Sequence, residues 1–600
     1  MKKLTFILLF CSGILFAQEV KFVWISHLSN NSEKETFSDS LVNYINKNKI
    51  DFVVLTDQVT KTGSLQEFED LQTKLDELQC KYFLLPGIDE LKNNGLLNYR
   101  RVWYDLNFSF QIKDKKFLGI SGENFLNNEK NSFTPETIDW LNEELSDSTL
   151  NYFLFINGDL INDYNNYEKI LQNMNKLKSF TLISGSTELS NSLKIPAAGY
   201  RENKNDYCLY LGQIENDTLM LGMQLPDNTF EKNQIITLQK SGYTKTSETG
   251  SPIEENNKVI FKKEFKSTLI AKPIFYDNKI FICERKGIIS ALDTLGNLIW
   301  DADAYGDIVS TPVIADGKLV VATRQGDLIT MNANTGETLQ TLGFDDAITS
   351  DLLAIEYQGN KQLLIEKQED SKTAIVLGTA SGKVFCYDLE TLQEYWINKD
   401  PKNFITSPMK FEDNRIVTIT SKGDIYCIDA KRGWTIWKWN EAEKKDKNIY
   451  ECKTLIHKQM IFVASSSGYV YGIDLLLGKT NWRSDKFKPC NSIGLTSNKN
   501  LLLVKVSNVK LIKLSQKTGT NLNVLRYSNG EDNAHGVIFN EGESTFITSN
   551  TGDIFEIKDF KKTEKVFSTN NQLILDVLPL DSKQYLISTV EGQVTLTYLK

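Results

Sequence analysis

Lys422–Trp437 reads KGDIYCIDAKRGWTIW. Gly423 suits a tight turn, Ile425–Asp429 alternates as a short strand, and Asp429 ends it where a side-chain acceptor can satisfy turn N–H groups. The same phrase recurs as KGIISALDTLGNLIW (Lys286–Trp300), QGDLITMNANTGETL (Gln325–Leu339), SGKVFCYDLETLQEYW (Ser381–Trp396) and SGYVYGIDLLLGKTNW (Ser467–Trp482), and weaker copies begin at Ser507, Thr551 and Glu591. Counted from the Gly, or from Asn508 in the sixth copy, the starts are 287, 326, 382, 423, 468, 508, 552 and 592, and most spacings fall between 39 and 45 residues. A further short strand precedes most copies, as in Lys279–Cys283 and Arg415–Thr420. A period of about 40 residues built from short strands predicts a β-propeller with one four-stranded blade per copy.

Eight copies predict eight blades, with seven as the alternative. The chain ends in a blade-like strand, so Lys258–Phe265 is expected to complete the last blade and close the ring. Trp300, Trp396, Trp437 and Trp482 recur at one phase and are expected to pack between blades. The fourth position after the Gly is Ala291, Thr330, Cys386, Cys427 and Gly472. All are small, which makes Cys386 and Cys427 close-packing residues and not a disulfide pair. This pattern resembles the pyrroloquinoline-quinone (PQQ) repeat, found in quinone-dependent dehydrogenases and in non-catalytic propellers such as the lipoprotein of the outer-membrane assembly machinery. The repeat marks blade packing and not the quinone site. The chain has neither an adjacent-cysteine pair nor a clear calcium-ligand cluster, so the resemblance implies a non-catalytic propeller with no cofactor.

The first 235 residues follow another rhythm. Strand candidates at Lys21–Ile25, Phe52–Leu55, Tyr82–Leu85, Phe108–Gln111, Lys116–Ile120, Tyr152–Ile156 and Phe180–Ile183 are interleaved with helical patterns. Ser32/Glu35 and Ser64/Glu67 have the spacing of capping boxes, Thr134-Pro135 opens another helix, and a further helix is expected over Tyr167–Leu177. Tyr207–Leu211 and Leu219–Met223 close the region as short strands. Alternation of this kind predicts an α/β domain, a layered β-sandwich with flanking helices. Ligands in such folds sit at loops after the strands' carboxyl ends. Here those loops are SHLSN (Ser26–Asn30), TDQV (Thr56–Val59), PGIDE (Pro86–Glu90), NGDL (Asn157–Leu160) and SGSTE (Ser184–Glu188).

Their order and flanking strands resemble the calcineurin-like metallophosphoesterases, and FTPETIDWLNEEL (Phe133–Leu145) is similar to that family's helix carrying a Trp-Leu pair. The family's metal-binding letters are mostly replaced. The first loop keeps only His27, the second keeps Asp57, the third offers Asp89 without its Asn and His, the fourth has Asn157 for His, and the fifth has Glu188 where His residues are expected. Two metals about 3.5–4 Å apart need a bridging carboxylate and several imidazoles. The resemblance therefore implies a degenerate domain to which no metal site is assigned. If it is active, Asp57 and Asp89 are catalytic, and His27, Asp57, Asp89 and Glu188 are the residual ligands for Mn, Fe or Zn.

Composition narrows the function further. Lys+Arg is 68 against Asp+Glu 77, a net charge of −9, which gives no electrostatic footprint for nucleic acid. The only histidines are His27, His457 and His535, too few for a multi-histidine centre. The opening MKKLTFILLFCSGILFAQ has a basic start, an apolar run shorter than a spanning helix needs, and Ala17 before Gln18, the pattern of a signal peptide. No later segment is apolar enough to span a bilayer. The expected organisation is a signal peptide (1–17), a degenerate phosphoesterase-like domain (18–235), a linker (236–257) and a PQQ-like propeller (258–600). The expected protein is exported, periplasmic or secreted, and soluble. It is a non-catalytic binding or scaffolding protein whose propeller face takes a protein or glycan. A divergent metal-dependent phosphoesterase is the alternative, and a quinone-dependent dehydrogenase the third.

Overall fold

The structure is a computed structural model. It describes residues 19–599 apart from 29–36, 38, 92–94, 104, 124–130, 159, 161–163, 165, 173–176, 185–196, 199–207, 216, 225–229, 238–257, 358–371, 406–407, 442–452, 466–468, 486–488, 507–509, 528–535 and 581–582. The chain divides into two compact units. The first comprises Met1–Ser121, Glu144–Leu160 and Leu171–Thr244; the second comprises Gly122–Glu143, Ile161–Ile170 and Lys245–Lys600. The expected signal peptide and the Ser32/Glu35 capping pair lie outside the described residues.

Up to Thr237 the elements are β1 (Val20–Ser26), α1 (Asp39–Lys47), β2 (Phe52–Thr56), α2 (Leu65–Leu75), β3 (Lys81–Leu85), α3 (Ile88–Leu91), α4 (Gly95–Trp103), β4 (Phe108–Ile112), β5 (Lys115–Ile120), α5 (Pro135–Glu144), β6 (Asn151–Ile156), α6 (Tyr167–Leu171), β7 (Ser179–Ile183), β8 (Ala197–Ala198), β9 (Cys208–Glu215), β10 (Thr218–Gln224) and β11 (Phe230–Thr237). The strands of the first unit form two mixed sheets, in the orders β11-β10-β9-β1-β2-β3 and β4-β5-β6-β7-β8. The run FVVL in β2 is apolar throughout because both its faces are covered. Phe52 and Val54 join Phe22, Phe117, Phe153 and Ile183 between the sheets, while Val53 and Leu55 pack with Phe68, Leu71 and Tyr99 on the helical side.

Ser64 and Glu67 make the expected capping box at α2. Three features differ from the sequence reading. The PGIDE loop turns directly into α3, α4 follows it, and α6 ends at Leu171, short of the expected Leu177. A Cβ on Gly87 or Gly95 would meet backbone at 2.6 Å and 1.7 Å respectively, so both glycines mark close chain crossings around α3.

The second unit contains eight four-stranded antiparallel sheets. Blades one to seven span 274–303, 313–343, 353–398, 410–439, 453–484, 489–526 and 538–568. Blade eight joins three C-terminal strands within 574–598 to Val259–Glu264, with Phe261 opposite Leu596. Eight blades and closure by the 258–265 strand are as expected, and the seven-bladed alternative is set aside. Glu123 and Ser132 bond to blades one and eight, and Tyr164 and Asn166 pack on the segment that carries them. Phe133 and Tyr164 stack at 4.2 Å, and Asn166 holds both backbone polar groups of Phe133, accepting from its N–H at 2.9 Å and donating to its carbonyl at 2.8 Å. Arg285 donates to both oxygens of Glu123 at 2.7 Å, Ser267 and Thr268 donate to Glu136, and Ser132 donates to Glu591 at 3.1 Å.

Candidate functional site

In the first unit, the ends of β1, β2, β3, β5 and β6 converge. Ser26 Oγ lies 2.9 Å from His27 Nδ1 and donates to Asp57 Oδ2 at 3.3 Å, and the Gly158 N–H points at the same carboxylate oxygen at 3.4 Å. Asn157 Nδ2 donates to the Pro86 carbonyl at 2.6 Å and to Ser121 Oγ at 3.3 Å, tying the two sheets together. His27 and Asp57 hold φ of 57° and 54°, left-handed conformations costly to residues other than Gly and concentrated at functional loops.

The structure thus brings His27 and Asp57 together through Ser26. The backbone of Asp89 lies in α3, but its side chain lies outside the described residues, as does all of Glu188. Among the described residues no group of three or more His, Cys, Asp or Glu could hold a metal ion. Among the described residues the site holds one imidazole and one carboxylate with a hydroxyl between them, fewer groups than a two-metal centre needs.

Sequence reading passed over Glu90 in this neighbourhood. It is fully buried and accepts from the N–H groups of Val59 (3.0 Å), Thr60 and Gly87 (2.6 Å) and from Thr60 Oγ1 (2.6 Å). Burial pushes its carboxyl up to about 7 against the pull of those donors. Glu90 therefore stitches the loops after β2 and β3, and an acid three residues beyond a strand-end Gly is the signal that could have revealed it.

In the propeller, the repeated letters have structural partners. Oδ1 of Asp293, Asp388, Asp429 and Asp474 each accepts two backbone N–H groups of the following turn, as expected. Each repeated Trp faces the next blade and donates its indole N–H there: Trp300 to Ala333 (3.2 Å), Trp396 to Ala430 (2.9 Å), Trp437 to Leu475 (2.9 Å) and Trp482 to Gln516 (2.7 Å). The ring lies against the turn Gly of that blade, so a Cβ on Gly336, Gly433, Gly478 or Gly519 would come within 2.2–2.6 Å of it. Phe261 takes the same place against Gly296 across the closure. Cys386 and Cys427 sit opposite Trp396 and Trp437 and are free thiols, also as expected.

These turns also define one face of the ring. Leu295 (66% exposed), Trp434 (68%) and Leu477 (66%) are among its most exposed large apolar side chains, and all three lie at the connection between the third and fourth strands of their blades. Arg432 lies over the Trp434 ring at 5.3 Å.

Eight blades with these interlocking turns define an eight-bladed β-propeller of PQQ-like repeats. The family described as "Outer membrane protein assembly factor BamB" matches residues 254–343 and 368–492, so the repeats are of the BamB type. The chain is 24% identical over 219 residues to outer membrane protein assembly factor BamB of Burkholderia pseudomallei, covering 34% of this chain and 51% of that protein. It is also 24% identical over 221 residues to the Shewanella oneidensis protein of the same name, covering 35% and 51%. The chain therefore spans about half the length of these curated relatives. The crystal structure of BamB from Moraxella catarrhalis superposes with a TM-score of 0.44 at 16% identity, covering 57% of this chain and 98% of that one. No helix among the described residues is long and apolar enough to cross a membrane.

Proposed function

We propose that the chain is an exported, non-catalytic scaffolding protein whose propeller docks another protein, with the first unit a degenerate phosphoesterase-like domain. The observation that carries this reading is the coincidence of Leu295, Trp434 and Leu477 on one face. Exposed aromatic and aliphatic anchors that recur on a rigid ring are the material of a protein interface, and an adjacent Arg adds a hot-spot residue type. The relatives' role in outer membrane protein assembly favours an envelope protein over a glycan as the partner. A photo-crosslinker at Trp434, expressed in the native envelope, is expected to capture one discrete protein, and Leu477→Asp is expected to abolish the adduct. Capture that persists unchanged in Leu477→Asp removes the reading.

The Ser26–His27–Asp57 cluster favours a second reading, a divergent phosphoesterase in which Asp57 and Asp89 act and His27 and Glu188 help to hold a divalent metal. Mn-, Fe- or Zn-dependent cleavage of a generic phosphodiester that Asp57→Ala abolishes would establish it.

A further inference from the structure

In an antiparallel blade the connections between strands one and two and between strands three and four lie at one end. Here it is the end that exposes Leu295, Trp434 and Leu477. Charge is unevenly shared among these connections. In blades five and six they are residues 458–459, 475–479, 496–500 and 516–520. They hold four lysines, Lys458, Lys479, Lys499 and Lys517, and no acid. All four are exposed, and none makes an ion pair among the described residues. Blades one, two, three, four and seven each place an acid at these connections: Asp277, Asp316, Glu390, Asp413 and Glu543. Glu412 and Asp413 of blade four are engaged by the blade five turn, accepting from the Gln459 N–H at 3.0 Å and from its Nε2 at 3.1 Å. A basic arc on a chain of net charge −9 is a local departure, and it creates a field for an acidic partner.

A cavity of about 470 Å³ opens at the blade six turn of this arc. Its wall is apolar: Leu455 comes from the first strand of blade five, Ile493 and Leu495 from that of blade six, and Ile538 from that of blade seven. All four are only part-buried. Ser497 and Lys499, both exposed, also line it. Hydrogen bonds hold its edge in shape. The Lys499 N–H donates to the Thr496 carbonyl at 2.7 Å, Gln516 Nε2 donates to the Lys499 carbonyl at 3.0 Å, and Asn540 Nδ2 donates to the Leu495 carbonyl at 2.8 Å. Ligand pockets span about 300–1,000 Å³, and one formed before binding lowers the ordering cost.

We propose that this cavity, with the lysines of blades five and six, captures an acidic peptide segment of a partner protein. An aliphatic or aromatic side chain enters the cavity, and flanking Asp or Glu residues meet the lysines. A peptide is favoured over a small anion because the four ammonium groups sit on four separate connections of two blades, spread as charges along a chain are spread. The inference rests on the docking reading above and adds the chemistry of the partner.

The test uses the full chain and a short fluorescein-labelled peptide in which leucines are flanked by Asp and Glu, read by fluorescence anisotropy. Saturable binding is expected, weakening as added salt screens the lysines. A peptide with Lys in place of its acids, and one with Ser in place of its leucines, should each bind about tenfold more weakly or worse. In the protein, Lys458→Glu combined with Lys499→Glu should cost about tenfold, and Ser497→Trp should fill the cavity mouth and remove binding. Lys422→Glu, on a turn between strands two and three at the other end of blade four, should change nothing. These substitutions replace exposed residues, so Tm should match the parent, and the double lysine variant keeps the test decisive if Ser497→Trp lowers it. Binding indifferent to the sign of the peptide's charge, or unchanged in Ser497→Trp, overturns the proposal. So does saturable binding of laurate with none of the peptide. The Trp434 crosslink reads docking separately: an adduct without peptide binding removes the capture alone, and peptide binding without an adduct removes the docking reading alone.

Discussion

Gly433→Ala tests how the blades lock. Gly433 has φ +71°, and an added Cβ would lie 2.4 Å from the fused ring of Trp396. Two costs follow. Left-handed backbone costs a residue with a Cβ about 1–2 kcal/mol, and forcing a methyl into a packed ring contact costs about 1–3 kcal/mol more, for roughly 2–5 kcal/mol in total. A control separates them. Gly317 has φ +72° with nothing within 4 Å of its Cβ position, so Gly317→Ala carries the backbone cost alone. Trp396→Ala removes the ring and its hydrogen bond to Ala430, and should itself cost about 3–5 kcal/mol. In that background Gly433→Ala should fall to the Gly317→Ala value, leaving a coupling of about 1–3 kcal/mol. Scanning calorimetry of the full chain, following the propeller's transition, reads all four. Gly433→Ala costing no more than Gly317→Ala, or a coupling near zero, would refute the lock.

Two further predictions concern the buried charges over blades one and eight. Glu591 accepts from Ser132 Oγ and the Leu573 N–H, and burial pushes its carboxyl up to about 7. Because this folded pKa lies above that of the unfolded chain, the proton's contribution is complete below about pH 4.3 and disappears as pH rises through 7, up to roughly 3 kcal/mol. Glu591→Gln keeps both partners without titrating, so stability measured at pH 5 and pH 8 should fall less for it than for the parent; parallel pH profiles would exclude the shift. Glu123→Ala strands the buried Arg285 guanidinium and should cost about 3–5 kcal/mol in chemical denaturation, whereas replacing both partners with Glu123→Leu and Arg285→Met should recover most of the loss.

Legibility in the sequence followed the range of each interaction. The blade turns were readable because Gly423, Asp429 and Trp437 carry their signal within 16 residues and the chain repeats it. The sandwich strands were readable because FVVL and FLFI are buried on both faces. The ion pair of Arg285 with Glu123, and the hold of Ser132 on Glu591, join residues far apart in sequence, and nothing local announces them. At the candidate site, His27 and Asp57 could be named from strand ends. The hydroxyl of Ser26 between them and the stitching carboxylate of Glu90 depend on left-handed turns that periodicity does not register.

The exceptions to the repeat show what its recurring letters do within this one chain. Blade two has Gln340 where the other regular blades have Trp, and the matching turn residue of blade three is Leu392 in place of Gly. Leu392 nevertheless keeps the left-handed backbone, φ 53°, and donates to the Asp388 carbonyl at 2.9 Å, as Gly433 donates to Asp429 at 2.8 Å. The turn's hydrogen bonding therefore does not demand glycine; the aromatic ring lying on it does. At the closure, Phe261 supplies the ring and Gly296 the turn, although the two strands of that blade come from opposite ends of the propeller sequence. Ring and glycine are present together or absent together at these junctions. That pairing identifies the recurring Trp as a blade-to-blade fastening, and a cofactor is not needed to account for it.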